Sequence, residues 1–225
     1  MSGAAGAGAR RAGDGVLASP YEAPGRLALP PGLPAPCAIT AQDGTALAEA
    51  IGRRELSSRE VVSAFLDRIE ALNPTFNAIV SLRDRGDILR DADAADARLA
   101  AGERPGLLHG LPIAIKDLMP TRGLRTTFGS PLFRDFVPEE DGLAAARIRA
   151  AGAVILGKTN TPELGLGSHT FNPVFGATGN AFDPALSAGG SSGGAAVALA
   201  TRMLPLADGS DMGGSLRNPA AWNNV

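Results

Sequence analysis

Two glycine-rich stretches decide the fold of this 225-residue chain: Ser187-Ala-Gly-Gly-Ser-Ser-Gly-Gly-Ala-Ala196 and Asp208-Gly-Ser-Asp-Met-Gly-Gly-Ser-Leu-Arg-Asn-Pro219. Each places a serine, Ser191 or Ser215, in a turn before a predicted helix, and Asn218 is predicted to cap the second helix. Glycine lets several backbone N–H groups point at one oxygen, and a helix N-terminus adds a positive dipole end. The pattern therefore predicts that a negatively charged group, or an oxygen that becomes negative during a reaction, is held near Ser215. A bound phosphate would explain the pattern equally well.

Upstream of these stretches, helical patterns alternate with short apolar runs. The runs at 111–115, 153–156 and 204–207 are predicted to be buried strands, with helices at 141–151 and 195–202 between them. This alternation predicts an α/β fold with a parallel central sheet covered by helices on both faces. Ligands bind beyond the carboxyl ends of such strands, so Lys116 and the Ser215 turn are expected at one edge of the sheet.

The amino-terminal third has a different organisation. Residues 1–40 are rich in Ala, Gly and Pro and are predicted to be a disordered or loosely draped extension, the alternative being an arm that packs on a partner subunit. Residues 41–225 form the predicted domain. It begins with a short helix near Thr45 and continues with a helix that starts at a Ser57 capping box and stops at Asn73-Pro74. A further helix is predicted at about 87–101.

Composition excludes several classes of function. The chain is 44% apolar with a net charge of −2, so it is predicted to be globular, and its interspersed charges and 4% aromatic content argue against a nucleic-acid partner. No apolar run reaches the ~18 to 20 residues of a membrane span, and no secretory signal is apparent. A single cysteine, Cys37, excludes a disulfide framework and favours a cytoplasmic protein.

From about Thr45 to its last residue the chain resembles the amidase signature family. The resemblance rests on three motifs in order: Gly-Leu-Pro-Ile-Ala-Ile-Lys-Asp at 110–117, Gly-Gly-Ser-Ser-Gly-Gly at 189–194 and Gly-Ser-Asp-Met-Gly-Gly-Ser-Leu-Arg at 209–217. It implies the amidase signature fold, with a mixed or parallel central sheet. Because family members continue well beyond the last motif, the chain is expected to be an amino-terminal portion of the domain, truncated before its C-terminal half.

The resemblance also implies roles for site residues. Ser215 is the nucleophile, Ser191 is the bridging serine whose preceding peptide bond, from Gly190, is cis, and Lys116 is the base. A lysine base must be neutral, so its pKa of about 10.4 has to fall by roughly 2 to 3 units, which burial can achieve. The expected oxyanion-hole donors are the backbone N–H groups of Met212, Gly213, Gly214 and Ser215. The expected supporting side chains are those of Ser192, Asp211 and Arg217.

The implied reaction is hydrolysis of a small-molecule amide through an acyl-enzyme, with no metal and no cofactor. His109 and His169 lack an acidic partner at recognisable spacing, which argues against a histidine triad or a zinc site. The alternatives are the glutaminase subunit of a tRNA-dependent amidotransferase, which the sequence at 218–225 disfavours, and an inactive truncated fragment. Nucleotide binding is disfavoured because the glycine loop lacks the P-loop lysine. The amide substrate and a homodimeric state are left open.

Overall fold

A mixed three-stranded sheet lies at the centre of the computed structural model, which describes residues 28–104 and 106–225. Its strands are β1 (Ile79–Val80), β2 (Pro112–Lys116) and β3 (Val154–Thr159), in the order β1-β3-β2. Strand β2 runs parallel to β3, whereas β1 runs antiparallel to it. A separate two-stranded ribbon joins β4 (Phe171–Asn172) to β5 (Gly176–Ala177). The α/β class and the mixed sheet are confirmed.

Strand β3 extends beyond its predicted end at residue 156. The register between β2 and β3 shifts after Ile113, so that Ala114 pairs with Gly157 and Lys116 with Thr159. A Cβ at Gly157 would lie 2.9 Å from the Cα of Leu82, so glycine is required where the chain after β1 crosses the strand. The longer strand brings Lys158 and Thr159 alongside the end of β2.

Six α-helices occur in the described residues. They are α1 (Gly44–Gly52), α2 (Ser58–Phe76), α3 (Arg85–Ala100), α4 (Leu143–Ala150), α5 (Gly193–Ala200) and α6 (Arg217–Trp222). The capping box at the start of α2 is confirmed, because Ser57 accepts the N–H of Glu60 and the Glu60 carboxylate accepts the N–H of Ser57.

Three boundaries predicted from the sequence are wrong. Helix α2 continues through Pro74 to Phe76, because Asn73 caps the following turn by accepting the N–H groups of residues 78 and 79. Helix α6 begins at Arg217, and Asn218 lies inside it with its N–H bonded to Gly214 O. The predicted strand at 204–207 is a loop in which Leu204 is buried and donates its N–H back to Ala198 O of α5, while residues 205–207 are partly exposed.

Helices cover both faces of the sheet, as predicted. On one face, Ala114 of β2 and Leu156 of β3 belong to a core cluster with side chains from α2, α3 and α5. On the other face, Ile115 and Ile155 pack with Ala145 of α4. Alternate residues of each strand therefore point to different helical layers.

Residues 28–40 of the predicted extension form no helix or strand, and residues 1–27 of it lie outside the described part of the chain. Leu29 and Leu33 pack against the core, and Pro34 O accepts a hydrogen bond of 3.0 Å from Arg68 of α2. A buried arginine that binds this backbone was not recognisable from composition. Within 28–104 and 106–225, no helix is long and apolar enough to cross a membrane.

Gly194 offers a test of this packing. An added Cβ would overlap Asn160 N and lie 2.5 Å from Ala78 O, and both contacts are with backbone that cannot turn aside. Gly194→Ala should therefore lower the free energy of unfolding by about 1 to 3 kcal/mol or more in urea titrations. The matched control is Gly52→Ala in α1, where no atom lies within 4 Å of the added Cβ. Equal stabilities of the two variants would contradict the close approach of α5 to the sheet.

Candidate active site

Lys116 ends strand β2 with its side chain almost fully enclosed, at 1% exposure. Its Nζ lies within hydrogen-bonding distance of three serine hydroxyls, at 2.8 Å from Ser191, 2.8 Å from Ser192 and 2.9 Å from Ser210. Its backbone N–H donates to Asp208 Oδ1 at 2.7 Å, which fixes the end of the strand. Both glycine-rich stretches thus meet at one amino group.

The two glycine-rich stretches are also joined through their backbones. The N–H of Ser192 donates to the carbonyl oxygen of Ser215 at 2.9 Å. The peptide bond between Gly190 and Ser191 is cis, as the resemblance implies. A Cβ at Gly190 would lie 2.9 Å from the backbone N of His169, so only glycine allows the 168–169 loop to lie this close.

Burial sets the protonation of the lysine. It lowers the pKa of Lys116 from 10.5 to about 8, although the negative charges of Asp208 and Asp211 oppose the decrease. Burial also lowers the pKa of Lys158 to about 8, against the charges of Asp117, Asp208 and Asp141. An appreciable fraction of each amine is therefore neutral near neutral pH.

Ser215 lies half-buried at the wall of a cavity of about 490 Å³ that Ser191 also lines. Leu118, Leu164 and Leu166 give this cavity an apolar side, and the turn from Ser210 to Gly213 gives it a polar side. Among residues 28–104 and 106–225, no hydrogen bond reaches the Ser215 hydroxyl. The hydroxyl of the expected nucleophile is thus unpaired beside open space.

The backbone N–H groups of the expected oxyanion hole differ in their pairing. Gly214 donates its N–H to Asp211 Oδ1 at 2.7 Å, so this member of the expected set is already paired. The N–H groups of Met212, Gly213 and Ser215 make no hydrogen bond within the described chain. An oxygen in the cavity would find its unpaired donors in these three residues.

Asp211 holds the shape of this turn. Its carboxylate accepts both side-chain bonds of a bidentate pair with Arg217, at 2.9 and 3.0 Å, and the N–H groups of Gly214, Leu216 and Arg217. These hydrogen bonds, led by the Arg217 side chain, lower the pKa of Asp211. Asp211 and Arg217 therefore contact the turn and not the reacting hydroxyls.

Sequence reasoning missed Ser210, Asp208 and Lys158. Ser210 provides the third hydroxyl on Nζ, and the only signal was its place between Gly209 and Asp211 in the quoted stretch. Lys158 is fully buried and donates to Met119 O and, at 2.8 Å, to Thr121 Oγ1. One signal was available, because the chain contains two lysines, Lys116 and Lys158, among 21 basic residues.

The two histidines lie away from Lys116. The Nε2 atom of His109 is 3.0 Å from Ala95 O in the core, and Nδ1 of His169 is 2.7 Å from Ser187 Oγ. In the described part of the chain, no group of three His, Cys, Asp or Glu residues is placed to hold a metal ion.

At the edge of the α/β sheet, a buried lysine thus contacts a cis-linked serine, and a second serine from a glycine turn lines the same cavity. Residues 60–225 match the family described as Amidase. The chain belongs to this family, the amidase signature enzymes.

Among curated proteins, the chain is 50% identical over 179 residues to a glutamyl-tRNA(Gln) amidotransferase subunit from Acidothermus cellulolyticus, covering 80% of this chain and 35% of that protein. Among solved structures, it is similar to fatty acid amide hydrolase, with a TM-score of 0.78, 33% identity and coverage of 83% of this chain and 33% of that one. The peptide amidase of Stenotrophomonas maltophilia gives a TM-score of 0.75 and 34% identity, covering 81% and 38%. The chain spans about a third of the length of the curated relatives it matches.

The two buried lysines provide a direct test of the electrostatics. Lysines isotope-labelled at Cε should give two side-chain NMR signals, and both should titrate with a pKa near 8. Lys158→Met should remove one signal and so assign the other to Lys116. A signal of Lys116 that titrated at the ordinary value of 10.5 would contradict its burial among the serines.

The same pKa values determine whether the free energy of unfolding increases or decreases with pH. Unfolded lysines hold their protons up to about pH 10.4, whereas the folded chain releases them near pH 8, so the unfolded state binds more protons in this window. The free energy of unfolding should therefore increase from about pH 8 to about pH 10 in urea titrations, and Lys116→Met should make this increase smaller. A decrease across the window would contradict the assignment.

Proposed function

We propose that the protein is an amide hydrolase in which Ser215 attacks the amide carbonyl and Lys116, acting through Ser191, takes up the proton. The observation that carries the proposal is the contact of one buried amine, with a pKa of about 8, with the Ser191 hydroxyl. A serine hydroxyl is a weak nucleophile until a neighbouring base removes its proton. The neutral form of Lys116 provides that base.

Counting protons shows how the relay works. A charged Lys116 has three N–H groups and donates them to three hydroxyls. A neutral Lys116 has two N–H groups and one lone pair, so one hydroxyl has to reverse and donate to Nζ. Ser191 and Ser210 both line the cavity with Ser215, and we assign the reversal to Ser191, which the family resemblance makes the bridging serine. Ser191 then accepts the proton of Ser215 as it gives its own to Lys116.

The negative oxygen that forms during attack is held by backbone donors. We assign this role to the unpaired N–H groups of Met212, Gly213 and Ser215, while Gly214 keeps the turn in place through Asp211. Removing one such donor from an enzyme typically reduces the rate by about 10² to 10³.

The remaining steps return the groups to their starting state. When the C–N bond breaks, the proton stored on Lys116 passes through Ser191 to the leaving nitrogen, which departs as ammonia or an amine. A water molecule then gives its proton to the same relay and attacks the ester carbonyl of Ser215. Carboxylate is released and the Ser215 hydroxyl is restored.

A second candidate is the glutaminase subunit of a tRNA-dependent amidotransferase, favoured by the 50% identity to a protein of that kind from Acidothermus cellulolyticus. The same serine and lysine chemistry would release ammonia from glutamine. Ammonia release from L-glutamine and from simple aliphatic and aryl amides, each with Ser215→Ala as the blank, separates the two candidates. Turnover of the simple amides favours the stand-alone amidase, and turnover of glutamine alone favours the glutaminase.

Covalent labelling by a fluorophosphonate tests the site itself. Intact mass should show one adduct, Ser215→Ala should abolish it, and Lys116→Met should slow its formation by about 10² or more, the usual contribution of a general base. The labelling rate should increase with pH around a midpoint near 8, because the neutral lysine is the active form. The measurement is the adduct formed with time at each pH.

The control for labelling is Ser63→Ala. Ser63 lies on α2 and accepts a hydrogen bond from Arg85, with no contact to the site. This variant should label at the rate of the parent chain. A folded chain without the adduct, or an adduct that persists in Ser215→Ala, would count against the assignment of the nucleophile. The absence of labelling in an unfolded chain would favour the inactive fragment.

A further inference from the structure

A second polar cavity lies at the opposite end of α5 from Ser191 and Ser192. It has a volume of about 250 Å³ and is formed between the segment at 34–40 and helix α2. The polar side chains in its wall are those of Cys37, Thr40, Asp67 and Arg68. None of them takes part in the proposed hydrolysis.

Arg68 is the buried cation of this cavity, with 6% of its surface exposed. Its Nε donates to Thr201 O at 2.7 Å, beyond the end of α5, and its Nη1 donates to Pro34 O at 3.0 Å. Its Nη2 is buried, and within residues 28–104 and 106–225 it has no hydrogen-bond partner. A buried guanidinium N–H without a partner is costly, and a carboxylate is the ligand it binds best.

Cys37 stands at the edge of the same cavity and is the single cysteine of the chain. Its exposed Sγ accepts from the N–H and from the hydroxyl of Thr40, each at 3.5 Å. Partial burial raises the pKa of the thiol, but the hydrogen bonds from Thr40 outweigh this effect, so the pKa lies below its usual value. Reactive thiols are exposed and stabilised as thiolates in this way.

We propose that Cys37 and Arg68 form a thiol-exchange site for small disulfides that carry a carboxylate. The Cys37 thiolate attacks one sulfur of the disulfide, the S–S bond breaks, and the second sulfur leaves as a thiolate. The product is a mixed disulfide at Cys37, and no other oxidant is required. The positive charge of Arg68, in the wall of the cavity beside Cys37, attracts the carboxylate of the bound half, which orients the attacked sulfur.

The other charged groups near the cavity do not cancel the preference for disulfides that carry a carboxylate. Asp67 is the one carboxylate in its wall, and it is paired with Arg85 at 2.6 Å. Arg202 adds a further positive charge nearby, with its guanidinium bonded to Ala41 O at 3.1 Å. The charge that faces an incoming anion is therefore set by Arg68.

The test compares two disulfides on the full chain at neutral pH. Dithiobis(nitrobenzoate) carries carboxylates and dithiodipyridine is neutral, and each releases a coloured thiolate or thione. The rate constant for the anionic reagent is divided by that for the neutral reagent, first with the folded chain and then with the chain unfolded in urea. Comparing the two ratios isolates the contribution of the fold. We expect the folded chain to favour the anionic reagent by about tenfold, because the nearby cation of Arg68 attracts its carboxylate.

Variants identify the residues. Arg68→Met should return the ratio to its value in urea, and Arg68→Lys, which keeps the charge, should retain part of the preference and tests the proposal if Arg68→Met does not fold. Arg202→Met removes the same charge outside the cavity wall and should reduce the ratio less than Arg68→Met does. Thr40→Val should slow both reagents alike. An equal ratio in the folded and unfolded chain, or a ratio unaffected in folded Arg68 variants, would overturn the proposal.

Discussion

The enclosure of the Lys116 amino group is the constraint on which the rest of the structure depends. A buried ammonium loses its hydration, and here three hydroxyls and the nearby carboxylates of Asp208 and Asp211 replace part of it. These groups come from two pieces of chain, the turn before α5 and the loop after it, and they meet the lysine that ends β2. Because all of them meet at one nitrogen, the glycines that let these pieces approach are part of the same requirement.

The two buried lysines show why burial alone does not make a base. Lys158 donates to a carbonyl oxygen, Met119 O, which can only accept, so this contact always requires an N–H on the amine. Lys116 contacts only hydroxyls, each of which can reverse and donate. Both pKa values fall for the same reason, but the Thr121 hydroxyl that contacts Lys158 itself donates to Met119 O, whereas the Ser191 hydroxyl on Lys116 lines the cavity that contains Ser215. Arginine, which supplies the other cations of the chain, stays charged and could not act as a base.

The alternation of helices and apolar strands predicted that Lys116 and the Ser215 turn lie at one edge of the sheet, and the family resemblance implied that Ser191 lies between them. It did not predict the loop at 204–207, since an apolar run reads the same whether it pairs in a sheet or fills the core as a loop. Pro74 was taken for a helix end because the side-chain cap by Asn73 cannot be read from spacing. The contacts of Arg68 with Pro34 and Thr201 join residues far apart in the chain, and only the fold shows them.

The polar groups of the site are of two kinds. Some make hydrogen bonds of fixed direction, and others can reverse a hydrogen bond or accept a new partner. Asp211 accepts five hydrogen bonds that run in one direction, two from the Arg217 side chain and three from backbone N–H groups, so the turn is held whatever the protonation of Lys116. The serine hydroxyls around Nζ can reverse, and the N–H groups of Met212 and Gly213 have no partner in the described part of the chain. A reaction that moves a proton and creates a negative oxygen uses only the second kind of group. Rigid support and reactive groups therefore occupy the same turn without competing for the same atoms.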